Sequence, residues 1–119
     1  MQLRNLFIGL GKAVFFWGFV QIALIGAAYF NVLPSSYHAM GGNLMLLALL
    51  LMLILSIVGK MGGRIIGLSL LAFAMLAAQS FLLRGPGMPD IVKALHPIFG
   101  IGVMFLGQSL AKRASQLPK

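Results

Sequence analysis

Four long apolar stretches, separated by short polar ones, dominate the chain. They run over about residues 13–33, 38–58, 65–83 and 91–111. A helix needs about 20 apolar residues to cross the hydrocarbon core of a bilayer, so each stretch predicts a membrane-spanning helix. The breaks between them are rich in turn residues: Asn31-Val-Leu-Pro34-Ser-Ser36, Gly59-Lys-Met-Gly-Gly63 and Arg84-Gly-Pro-Gly-Met-Pro89-Asp90. Glycine and proline end helices there for backbone reasons. Ser35 or Ser36 is expected to cap the second helix and Asp90 the fourth. Pro97 has no N–H to give to the carbonyl of Lys93, so a bend is expected there. Linkers this short make successive helices antiparallel neighbours. The pattern therefore predicts an all-α fold, an up-down membrane four-helix bundle forming a single domain over residues 1–119. A cleavable signal peptide fits the N-terminus less well, because the apolar run is too long and no small-residue cleavage site follows.

The few polar residues inside the apolar stretches repeat. Gln21, His38 and Gly42 recur as Gln79, His96 and Gly100, each 58 positions on. The bundle is thus expected to contain an internal two-helix repeat. His38 and His96 are the only histidines in the chain. An ionisable side chain within a membrane is costly and points to function. Each histidine precedes a glycine by four residues, and positions i and i+4 share a helix face. A patch without a side chain beside each imidazole leaves room for a flat macrocycle to approach the backbone. Haem iron accepts axial histidine, and bundles hold cofactors between facing helices.

The expected site is one haem b, with His38 and His96 as metal ligands and Gly42 and Gly100 as the gap. Gln79 is a candidate donor to the ring edge, a propionate or a quinone, or else a residue that bonds across helices and fixes the bundle. Arg84 and Lys93 are candidate cationic partners of the propionates. With both axial positions filled, electron transfer is expected rather than oxygen chemistry. Gln21 is expected to bond across helices, as is Asn43, and Gln108 to be interfacial; Trp17 receives no role. Two alternatives carry weight: a chlorophyll-type pigment held through its magnesium, and a cofactor-free structural subunit of a membrane complex.

Composition narrows the field. The chain is 61% hydrophobic and 8% charged, against about 25% charged residues in a soluble domain. Cysteine is absent, which excludes disulfides, thiolate metal sites and cysteine nucleophiles. Asp90 is the sole acidic residue, so paired-carboxylate catalysis within the chain is excluded, and no ion-coupling acid lies within a span. No phosphate loop or nucleophile triad is present, and no enzymatic activity is expected. The net charge of +8 sits at the ends of the apolar runs, as membrane topology requires, so nucleic acid is not expected as a partner. Arg4, Lys12, Lys60, Arg64, Lys112, Arg113 and Lys119 fall at one end of the bundle, Arg84 and Lys93 at the other. That bias predicts a multi-pass protein of the bacterial inner membrane with both termini cytoplasmic and both histidines in the outer leaflet. Its expected partners are the lipid bilayer and a larger redox or photosynthetic membrane complex, or further copies of itself.

Four segments, Val20-Gln21-Ile-Ala-Leu-Ile-Gly26, Tyr37-His38-Ala-Met-Gly-Gly42, Ala78-Gln79-Ser80 and Leu95-His96-Pro-Ile-Phe-Gly100, resemble the four-helix halves of the haem A synthase superfamily. They also resemble small four-span bacterial proteins of that plan. The resemblance implies that His38 and His96, at the outer ends of the second and fourth helices, ligate a single b-type haem. It does not extend to the superfamily's catalytic acid in the first helix or its outer-loop cysteines, so synthase activity is not expected.

Overall fold

The computed structural model describes residues 1–81 and 87–118. Five helices follow in order: α1 (Gln2–Tyr29), α2 (Ser36–Val58), α3 (Gly63–Phe81), α4 (Asp90–Lys93) and α5 (His96–Ser115). With α4 and α5 counted together, all four resulting spans are long and apolar enough to cross a membrane. The bundle is a ring: α1 packs on α2, α2 on α3, α3 on α5 and α5 back on α1. In that ring α2 faces α5 across one diagonal and α1 faces α3 across the other.

Helix boundaries differ from the apolar runs where hydropathy and hydrogen bonding part company. α1 begins at Gln2, eleven residues before the first apolar run was expected to start, and carries Arg4 and Lys12 within it. Charges end a hydropathy window but not a helix, and Phe7 and Gly11 of this early segment are buried in the bundle. The other end of α1 falls short of the expected boundary, since Asn31 adopts a left-handed φ of 58° that stops the helix.

The fourth span is interrupted, as Pro97 foretold. α4 ends at Lys93, and α5 starts at His96 with Pro97 in its first turn. Ala94 and Leu95 between them form a turn with near-helical dihedrals, Leu95 N–H donating to the Val92 carbonyl at 3.1 Å. The expected side-chain caps do not form. Ser35 stands at the N-cap of α2 without a side-chain hydrogen bond, and Pro89 rather than Asp90 precedes α4. Asp90 instead binds Lys93 one turn on, at 3.0 Å.

The interior is small and apolar. Phe7, Val14, Leu49, Met52, Ala72, Val103 and Leu110 are buried, while Phe16, Phe19, Leu44, Leu47, Leu70 and Phe105 face outward. An exterior this apolar suits contact with lipid tails. Between apolar helices in lipid, close packing replaces the hydrophobic effect as the main attraction, and small residues permit it. α1 and α5 meet most closely at Gly11 and Gly107. A Cβ on Gly107 would lie 2.9 Å from the Gly11 carbonyl and 2.8 Å from Val14. Gly107→Val should therefore force the two backbones apart and cost about 1–3 kcal/mol. A lowered midpoint of unfolding in mixed micelles is the expected reading; an unchanged midpoint would show that the helices have slack.

Candidate functional site

The polar residues of the repeat converge at one end of the bundle. His38 is the third residue of α2 and His96 the first of α5, so the two imidazoles come from diagonally opposed helices. Their ring centroids are 5.9 Å apart, with the planes inclined at 69°. Gln21 and Gln79 arrive from the other diagonal, α1 and α3. Four helices thus place two imidazoles and two amides around one point.

That point is a cavity of about 310 Å³. His38, Gly42, His96, Pro97 and Gly100 line it from α2 and α5, and Gln21, Gln79 and Ser80 from α1 and α3. Gly18, Met45, Leu76 and Met104, one from each helix of the ring, close it below the histidines. Ile22, Ile25 and Ile101 also line it and are about half exposed, so its rim reaches the outer surface between α1 and α5.

Gly42 and Gly100 sit where the i, i+4 spacing places them. Both line the cavity, and a Cβ at either would meet no atom within 4 Å. They are open positions, not packing contacts. The packing glycine is Gly41, which the sequence pattern gave no reason to single out: a Cβ there would overlap the Gln21 amide. Its signal is weak because Gly41 and Gly42 are adjacent, and only the turn of about 100° between successive helical residues separates their roles.

The His38 side is clamped by its neighbours. Its Nδ1 lies 3.1 Å from the backbone carbonyl of Gln21. With the Gln21 amide oriented to satisfy its neighbours, Nε2 donates to the His38 carbonyl at 2.9 Å and Oε1 accepts from Trp17 Nε1 at 3.0 Å. Trp17 Nε1 also points at the Gly41 carbonyl, 3.1 Å away. A proton on Nδ1 of His38 makes its contact a hydrogen bond to the Gln21 carbonyl and leaves the Nε2 lone pair to a Lewis acid. The other tautomer would take a hydrogen bond from the amide nitrogen, 3.0 Å away. Gln21 does bond across helices, as expected, and in doing so it holds the histidine. Trp17, to which the sequence assigned nothing, is the third member of this clamp; a lone tryptophan in an apolar run carries no signal that separates it from lipid-facing aromatics.

The Gln79 side is different. Gln79 is 1% exposed, yet among the described residues neither its Nε2 nor its Oε1 has a hydrogen-bond partner. Most buried side-chain polar groups are bonded, so this amide keeps its donor and acceptor for a partner in the cavity it lines.

Other candidates fall elsewhere. Lys93 does not line the cavity and is paired with Asp90 at 3.0 Å. Arg84 lies outside the described residues. Asn43 is exposed rather than bonded within the bundle, because it follows Gly42 on the outer side of α2; Gln108 is exposed too. Among the described residues there is no group of three or more histidine, cysteine, aspartate or glutamate side chains. Two imidazoles alone leave a metal ion short of a full coordination shell, so any metal here must bring further ligands with it.

Residues 21–85, more than half of the chain, match a family of unknown function, DUF6220. The chain belongs to that family. The DUF6220 match takes in Gln21, His38, Gly41, Gly42 and Gln79 and stops short of His96 and Gly100. No curated protein and no solved structure matches the chain.

Proposed function

We propose that this DUF6220 protein is a small membrane b-type cytochrome that holds one haem between His38 and His96 and passes electrons within a membrane redox complex. The observation that carries the reading is the placement of the two imidazoles across the bundle axis. Metal–imidazole bonds of about 2.0–2.1 Å on opposite sides of one ion would put the ring centroids about 6–6.5 Å apart, and the rings here, at 5.9 Å, stand slightly closer than that.

The surrounding residues fit the group. A macrocycle supplies the four ligands that the protein lacks, and the open faces of Gly42 and Gly100 give it room beside each imidazole. A metal on Nε2 of His38 selects the tautomer whose Nδ1–H is held by the Gln21 carbonyl, the usual outer support of a ligating histidine. Bound haem supplies a one-electron iron couple, and two imidazole ligands leave it no open position for oxygen. A magnesium pigment asks for one histidine, so the facing pair favours iron. A purely structural role leaves the buried Gln79 amide unexplained.

The orientation bias of the basic residues supports placing the termini in the cytoplasm of a bacterial cell and the haem in the outer leaflet. The deciding experiment is an absorption spectrum of the purified protein. A sharp Soret band with low-spin α and β bands is expected. A colourless protein that takes up no added haem would end the proposal.

A further inference from the structure

The two halves of the repeat differ in what their glutamines bond. Gln21 spends its amide on Trp17 and His38. Gln79 spends its amide on nothing among the described residues, although it is only 1% exposed. Leaving such a buried donor and acceptor unmade carries the full desolvation cost of the group, which a ligand would recover.

The chemistry of that ligand follows from the amide. A primary amide offers an N–H donor and a carbonyl acceptor side by side. The complementary group presents an acceptor and a donor side by side, which a protonated carboxyl does: its C=O accepts from Nε2 and its O–H donates to Oε1. An ionised carboxylate would satisfy Nε2 but set a second oxygen against Oε1. It would also bury a charge, which is costly without a partner. Among the described residues that line the cavity none is a lysine or arginine, and the titratable ones are His38 from α2 and His96 from α5; α1 and α3 contribute none.

Position agrees with chemistry. Ligands on the α2–α5 diagonal turn the faces of a ring toward α2 and α5, and its edges toward α1 and α3. The amide on α1 is already engaged, so α3 receives the edge that needs a partner. Gln79 also lies two residues from the last residue of α3, near the end of the bundle, where an arm of the ring reaching toward water would pass.

Building on the haem reading, we propose that Gln79 grips one carboxyl arm of the bound ring in its protonated form, as a positioning residue that fixes the ring's rotation about the His38–His96 axis. The test is a titration of detergent-purified protein with iron protoporphyrin IX and with its dimethyl ester, which keeps the ring and the carbonyls but lacks the O–H. The natural chain is expected to bind the free acid about tenfold more tightly than the ester, and Gln79→Leu to bind the two nearly equally. Gln79→Met, closer to glutamine in length, repeats the comparison where leucine disturbs packing. The low-spin spectrum of the bound fraction reports that both histidines still ligate. An acid-to-ester preference unchanged by both substitutions would overturn the role of Gln79 while leaving the haem reading intact. Failure of the natural chain to bind either ring would overturn both.

Discussion

Replacing either His38 or His96 by alanine is expected to abolish the low-spin spectrum and weaken haem binding more than about a hundredfold. Loss of a partner that merely supports a metal ligand already costs about 10–100-fold, and here the ligand itself is removed. The fold should survive both changes. His38 is held to α1 through one ring contact with the Gln21 carbonyl, whereas the helices are held by the packed core and by the Gly11–Gly107 crossing. Helical circular dichroism should therefore be unchanged while the haem bands vanish. Free imidazole, which fits the space left by the side chain, should restore a six-coordinate spectrum to each variant. An alanine variant that keeps the wild-type spectrum would remove that histidine from the site.

The second large effect separates two adjacent glycines. Gly41→Ala places a methyl group where the Gln21 amide now sits. Overpacking of this kind costs about 1–3 kcal/mol, and a displaced amide adds an unmade hydrogen bond of similar cost. A loss of about 2–4 kcal/mol is expected, read as a fall in the unfolding midpoint in micelles, together with weaker haem binding as the clamp on His38 opens. Gly42→Ala meets no atom within 4 Å and should leave stability within about 0.5 kcal/mol. Its methyl group projects toward the space beside His38, so it should lower haem affinity alone. Equal stability of the two variants would show that the Gln21 amide moves aside freely.

These neighbours show how much the sequence could reveal. Four spans were legible because lipid imposes a run of about 20 apolar residues on any crossing helix, a requirement written position by position. Which residues share a cavity was legible too, because a histidine or glutamine in such a run is conspicuous against its surroundings, and an equal spacing between two copies is visible without coordinates. His38, His96, Gln79, Gly42 and Gly100 all line the one cavity. Lys93 was drawn in by proximity to His96 in sequence, but a helix turns its i and i+3 positions to one face, and Asp90 at that spacing takes the lysine. The helical start of α1 was hidden by Arg4 and Lys12, since hydropathy registers charge while a helix registers hydrogen bonds.

By itself, then, the sequence determined the number of spans, their alternation and the identity of the polar residues, because each follows from local composition and period. Tertiary structure alone decided which helices oppose each other. Placing α2 across from α5 brings the two imidazoles within 5.9 Å of each other, and placing α1 across from α3 brings the two amides to the remaining sides. It also decided that one amide is bonded and the other is not. That difference arises because Trp17 stands one turn before Gln21 on α1, within reach of its amide, while Met75 occupies the matching position before Gln79 and has no N–H to offer. The repeat is equal in spacing and unequal in partners, and only the packing of four helices around one cavity makes that inequality count.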